Sequence, residues 1–179
     1  FFLTQAEKGV LPITDVQMTR FMITLEEGVD LVWHVFDDMV GGEIYVKKIP
    51  SMRVTDIVRA ISPAEQFDIV GIRPAENRHE HLIGSEDAPY TYEYERYYKI
   101  LPAIHNCSRD AARINGGSPV PPDFNYSSDN NPEWISVETL STWIAQNRDK
   151  VGKIGGYEPL RPSRNNPSRY RRGGCSSAV

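Results

Sequence analysis

The chain has 179 residues, 40% of them hydrophobic and 25% charged, and a formal net charge of −4. That is enough apolar material for one ordinary domain, and a charge balance that argues against a nucleic-acid binder. Mean hydropathy is −0.45, and no apolar run approaches the roughly 18 residues of a membrane helix. Two cysteines, Cys107 and Cys175, supply neither a disulfide framework nor a cysteine-based zinc site. FFLTQAEKG at the start shows no secretory leader and no initiator Met, so a soluble, cytoplasmic protein or a piece of one is expected.

The clearest helix runs from Leu25 to about Met39, where Leu25, Val29, Val32, Phe36 and Met39 repeat at helical spacing against Glu26, Glu27, Asp30, Asp37 and Asp38. Thr24 with Glu27 forms a capping box, and Gly41-Gly42 ends the segment. Glu43 to Lys47 predicts a short strand. A second helix passes through Ile57, Val58 and Ile61, capped by Thr55 or Asp56 and stopped before Pro63. FDIVGI, residues 67 to 72, predicts a buried strand, and YTYEY, residues 90 to 94, alternates like a half-buried one. Residues 102 to 132 are rich in Pro, Gly, Asn and Ser and predict loop. Ser136 caps a last helix with Val137, Leu140, Trp143 and Ile144 on one face. Alternating helix and strand is an α/β signature. From Tyr157 onward five arginines stand against one acid, Glu158, with three prolines and no periodicity, so a basic, disordered tail over 155–179 is expected behind a unit over 1–154.

An α/β reading invites a search for a phosphate cradle, and the chain holds no G-x-G-x-x-G, no Walker loop, no Tyr-x-x-x-Lys pair and no G-x-S-x-G elbow. Lys99 is preceded at the needed spacing by Glu95. His79, Glu80 and His81 lack the H-E-x-x-H spacing that puts two imidazoles on one helical face, and no third ligand is evident, so no metal is expected.

Several segments in order resemble one family: FF at the start, LPITD at 11–15, MTRFMITLEEGVD at 18–30, GGEIYVKKIPSMRVTDIVRAI at 41–61, VGIRPAENRHEHLI at 70–83 and FNYSSDNNPEW at 124–134. Together they are similar to the C-terminal part of the inverting UDP-N-acetylglucosamine 4,6-dehydratases, members of the extended short-chain dehydrogenase/reductase superfamily that act in surface polysaccharide and flagellin-sugar synthesis. The resemblance implies an α/β, Rossmann-type fold of which this chain is the nucleotide-sugar-binding C-terminal portion. The dinucleotide loop and the Tyr-x-x-x-Lys pair would precede Phe1, so no catalytic residue is expected here. NADP would serve the full-length enzyme, and no cofactor is expected to bind this portion alone.

A UDP-sugar carries a diphosphate, a ribose diol and a flat uracil, and arginine forks suit the first. By resemblance, Arg73 contacts phosphate or ribose, Arg20 lies against phosphate, Glu76 accepts from ribose hydroxyls and Thr14 hydrogen-bonds the nucleotide. Phe1 and Phe2 lie beside the uracil or in the core, and Asn130 and Asn131 close the site. The chain departs from the family's R-P-G-E-K-L-H-E at three positions: Ala75 replaces glycine, where a positive φ would be strained, Asn77 replaces lysine and Arg78 replaces an apolar residue. The expected partner is a UDP-sugar, with no nucleic acid and no membrane, and the restored enzyme is expected to be a homo-oligomer. Two other readings stand beside this one. The first is a non-catalytic nucleotide-sugar-binding or assembly module from a truncated gene. The second is another extended short-chain dehydrogenase, such as a sugar-nucleotide 4-epimerase. Severed from its other half, the chain is expected to expose the apolar side of helix 25–39 and to self-associate.

Overall fold

In a computed structural model of the chain, the described residues are 2–3, 10–62, 67–103 and 110–147. The expected tail over 155–179, and Phe1, lie outside them. The described residues form four short sheets, four α-helices of four residues or more and a 3-10 turn at Ala88–Tyr90, and the fold is α/β as the alternation implies.

Two strands open the chain, β1 (Leu11–Ile13) and β2 (Thr19–Phe21), followed by α1 (Leu25–Asp38), β3 (Ile44–Lys47), β4 (Ser51–Arg53) and α2 (Val54–Ile61). The second half holds β5 (Phe67–Ile69), β6 (His81–Ile83), β7 (Thr91–Glu93), β8 (Tyr97–Ile100), α3 (Ala111–Ile114), β9 (Ser118–Pro119), β10 (Tyr126–Ser127) and α4 (Val137–Gln146). β1 and β5 pair in parallel, Leu11 opposite Phe67 and Ile13 opposite Ile69. Such a pair needs a crossover, which α1 and α2 lie within. β2 pairs antiparallel with β4, and β6 with β10. The widest sheet is antiparallel, in the order β3-β8-β7-β9.

Two apolar clusters hold these layers. Leu11, Ile13, Met18, Val54 and Val58 form the first, with Phe2 and Phe67 packed against it. Val46, Ile83, Tyr98, Ile100 and Tyr126 form the second, flanked by Phe21, Tyr90, Val120 and Phe124. α2 uses Val54 and Val58 to reach the first cluster and also packs on α4, where Leu140 is buried.

Local chemistry explains the helix starts. Thr24 and Glu27 cap α1 reciprocally, each side chain taking the other residue's backbone N–H. The Ser136 hydroxyl accepts from the Thr139 amide at the start of α4. α2 begins one residue before its expected caps, at Val54, with Arg53 as a cap that makes no side-chain bond; its first amide donates instead to the Met18 carbonyl. α1 stops at Asp38 on an extended Met39, and Gly41 and Gly42 take positive φ in the turn beyond it.

The open apolar side of α1 agrees with expectation, and the strand over 67–72 differs from it. α1 is amphipathic, yet none of its residues is buried. Leu25 is 80% and Phe36 65% exposed, and Val29, Val32 and Trp33 lie open with them. The helix turns its polar side inward, where Asp38 meets Lys99, and the His34 ring packs on Tyr45 and Tyr97. The strand over 67–72 is shorter than expected, and Ile69, Val70 and Ile72 are exposed. Phe67 reaches the first cluster, whereas among the described residues no layer covers the strand's other side.

Candidate functional site

The expected binding residues gather around one loop, residues 73 to 80, between β5 and β6. Glu76 is held at its base: the Thr14 hydroxyl donates to one carboxylate oxygen at 3.3 Å and the Arg73 amide to the other at 3.1 Å. Thr14 sits just past the end of β1, so the parallel β1–β5 pair delivers both sides of this contact. Ala75 adopts φ +66°, a left-handed conformation costly to any residue with a Cβ, and the Glu76 amide closes the turn on the Arg73 carbonyl. The strain foreseen where the family has glycine is therefore present.

Arg20, on β2, lies under the far end of the loop. One guanidinium nitrogen donates to the carbonyls of Thr19 at 2.7 Å and Arg78 at 3.0 Å; another donates to the Asn77 carbonyl at 3.2 Å and the Met18 sulfur at 2.9 Å. Its Nε lies 3.6 Å from Glu80. The fork is thus spent on the protein. The Arg73 guanidinium, by contrast, is exposed and makes no hydrogen bond or ion pair among the described residues. Arg78 also points outward and pairs with Asp15 at 2.8 Å rather than packing inward. Hydrogen bonding from the Gln17 amide, aided by Arg78, holds the Asp15 carboxyl below its ordinary value.

A second set of bonds, which the sequence did not signal, ties this loop to β2 and to the segment after β10. Thr19 Oγ1 lies 2.8 Å from His79 Nδ1 and 2.6 Å from Ser128 Oγ, and the Glu80 amide donates to Ser128 Oγ at 2.9 Å. The Glu80 carboxylate accepts from the Phe21 amide at 2.8 Å. His79 is accordingly a hydrogen-bonded residue, and the described residues contain no cluster of three or more metal-donor side chains.

Asn130 and Asn131 sit on the adjoining segment with their amides engaged inside the protein. Asn130 accepts from the Ser127 amide and donates to Asn125. Asn131 is buried and donates to the Ile49 carbonyl, Ser51 Oγ and the Glu133 carbonyl, which anchors the segment to β4.

Two cavities among the described residues lie elsewhere. One of about 460 Å³ lies between α1 and the β7–β8 turn, lined by His34, Lys47, Tyr94, Arg96 and Tyr97 among others. Another, of about 290 Å³, is apolar and lies between the start of α1 and α4. Neither includes Arg20 or Arg73.

A dinucleotide needs a glycine turn at a strand end and an open helix N-terminus for its pyrophosphate. The helix starts among the described residues do not fit that need. α1 closes its own N-terminus with Glu27, α4 with Ser136, and the first amide of α2 is taken by Met18.

Residues 1–102 match the family described as polysaccharide biosynthesis protein. An inverting UDP-N-acetylglucosamine 4,6-dehydratase of Campylobacter jejuni subsp. jejuni serotype O:2 is 48% identical over 147 residues, covering 78% of this chain and 44% of that protein. Its counterpart in serotype O:23/36 is 47% identical over 135 residues, 73% of this chain and 40% of that one. A UDP-glucose 4-epimerase of Rickettsia conorii is 32% identical over 104 residues, 55% of this chain and 30% of that protein. Among solved structures, the X-ray structure of Pen from Bacillus thuringiensis superposes with a TM-score of 0.66 at 22% identity, over 82% of this chain and 43% of that one; the likeness shows the fold. The chain spans less than half the length of the curated relatives it matches.

Proposed function

Because this chain belongs to the polysaccharide biosynthesis protein family, we propose that it forms the nucleotide-sugar-binding side of an inverting UDP-N-acetylglucosamine 4,6-dehydratase. The observation that carries the reading is the convergence of Thr14, Arg20, Arg73 and Glu76 on the 73–80 loop, in a chain 48% identical to such a dehydratase. Arg73 offers an unspent fork to the diphosphate. Glu76, held by Thr14 and the Arg73 amide, presents a fixed acceptor to the ribose hydroxyls. Arg20 keeps the loop in place from beneath. Asn130 and Asn131 shape the neighbouring segment.

The chemistry of such an enzyme is a redox-assisted loss of water. NADP supplies hydride exchange when bound to the rest of the enzyme; the residues of this chain do not cradle it. They bind and orient the carrier, and the groups that move protons and hydride belong to the part of the relatives that this chain does not match. The whole enzyme would be a cytoplasmic homo-oligomer. Among the described residues no helix is long and apolar enough to cross a membrane.

Calorimetric titration with UDP-N-acetylglucosamine tests the reading. Arg73→Ala should weaken binding by about tenfold or more, the cost of a charge-assisted hydrogen bond, while leaving the melt unchanged. Arg20→Ala should weaken binding and lower the melting temperature together, since its guanidinium serves the fold. Equal affinity in the native chain and Arg73→Ala would refute the proposed phosphate contact.

A further inference from the structure

The bonds beneath the 73–80 loop have a direction. Ser128 is fully buried and Thr19 nearly so. Each hydroxyl has one proton to give and can accept from a neighbour. Ser128 Oγ accepts from the Glu80 amide, which leaves Ser128 one described partner for its own proton, Thr19 Oγ1 at 2.6 Å. Once Thr19 accepts from Ser128, its proton goes to His79 Nδ1, 2.8 Å away. Among the described residues, the only assignment that satisfies both buried hydroxyl donors therefore runs one way, from the Glu80 amide through Ser128 and Thr19 to His79. It requires a bare Nδ1, that is, a neutral imidazole with its proton on Nε2.

We propose that His79 is a positioning residue whose neutral Nε2–H form terminates this hydroxyl chain and so locks the nucleotide-contacting loop onto β2 and the segment after β10. The lock deepens the nucleotide-sugar reading and rests on it for its function. A protonated ring would carry a proton on Nδ1 and donate to Thr19. Thr19 would then turn its proton to Ser128, and the Ser128 proton would be buried without an acceptor. Ser128 also donates its amide to the Glu80 carbonyl, and Thr19 its amide to the Arg78 carbonyl, so loosening this chain loosens the whole 78–80 stretch. Histidine as a residue type changes charge near neutral pH, so acidification is the probe of the lock. Asp15 before β2 and Asp129 after β10 both feel the imidazole charge; Arg78, Glu80 and His81 stand on the ring's own segment, and Arg20 on β2 lies 3.6 Å from Glu80.

The lock and a simple charge effect predict opposite signs. An imidazolium beside a diphosphate would tighten binding on acidification, whereas opening the lock weakens it. UDP-N-acetylglucosamine suits the measurement because its diphosphate is esterified at both ends and keeps its charge in this range. On the full 179-residue chain, its affinity should fall about tenfold from about pH 7.5 to about pH 5.5. In His79→Asn, whose Oδ1 accepts from Thr19 and does not titrate, affinity should stay within about twofold over the same range. Unchanged or tighter binding at low pH in the native chain overturns the proposal. Ligand-free readouts stand beside the titration. Long-range proton–nitrogen correlation of the ring at about pH 7.5 should show Nε2–H, and the Glu80 amide should be protected from exchange there and lose that protection on acidification. An Nδ1–H ring, or protection indifferent to pH, overturns the lock. Absence of binding at every pH with the ring and amide behaving as stated would leave the lock standing and refute the nucleotide reading instead.

Discussion

Lys99 is fully buried, and its ammonium lies 2.5 Å from Asp38, donates to the Arg113 carbonyl at 2.8 Å and faces the rings of Tyr45 and Tyr94 at just over 5 Å. Tyr45 and Asn115 donate to the same carboxylate. Burial by itself would raise the Asp38 carboxyl, but the bonds from Lys99, Asn115 and Tyr45, with the Lys99 charge, hold it down at about 2 against an ordinary 3.8. A carboxyl lowered on folding stabilises the folded chain fully above its ordinary value and loses that contribution as the pH falls toward the folded one. Acid unfolding followed by circular dichroism should therefore show a component between about pH 4 and about pH 2 that is absent in Asp38→Asn. Lys99→Met strands the buried carboxylate and should cost about 3 kcal/mol in urea unfolding, while Lys99→Met with Asp38→Leu should recover most of it, because an apolar pair needs no compensation.

At the scale of elements, α1 is the informative case. Its start, its end and its apolar stripe were legible, since Thr24, Glu27 and the helical spacing are local features. Its exposure was expected as well; what meets its polar side was not, because Tyr45, Tyr97 and Lys99 lie far along the chain. The three-residue strands β2, β4 and β6 are too short to show a period, and the buried Lys99 breaks the alternation of β8. The site divides in the same way. Thr14, Arg20, Arg73 and Glu76 were nameable from short motifs, whereas the link from Thr19 to His79 and Ser128 joins residues 60 and 109 positions apart. The open stripe also sets a prediction. Phe36→Lys should reduce self-association in sedimentation and leave the unfolding free energy unchanged within about 0.5 kcal/mol, as expected of a largely exposed side chain. A marked loss of stability would mean that Phe36 packs internally.

At the scale of the molecule, the described residues show two separate apolar clusters and four small sheets where one core and one continuous sheet would be expected for a single domain. We expect the 179-residue chain to yield no 4-keto sugar when incubated with NADP and UDP-N-acetylglucosamine and followed by mass spectrometry, because it supplies neither a dinucleotide cradle nor a Tyr-x-x-x-Lys pair. Detectable turnover would overturn the assignment of roles. The β1–β5 ribbon adds something further. Two parallel strands, with no third strand beside them among the described residues, leave backbone donors and acceptors along both margins, next to the bare Ile69 and Val70. Such a margin recognises an arriving strand by its backbone alone, which is the chemistry by which severed pieces of a protein recombine. Joint expression with the remaining portion of a relative could thus become a complementation system, in which regained catalysis reports that the two pieces have met.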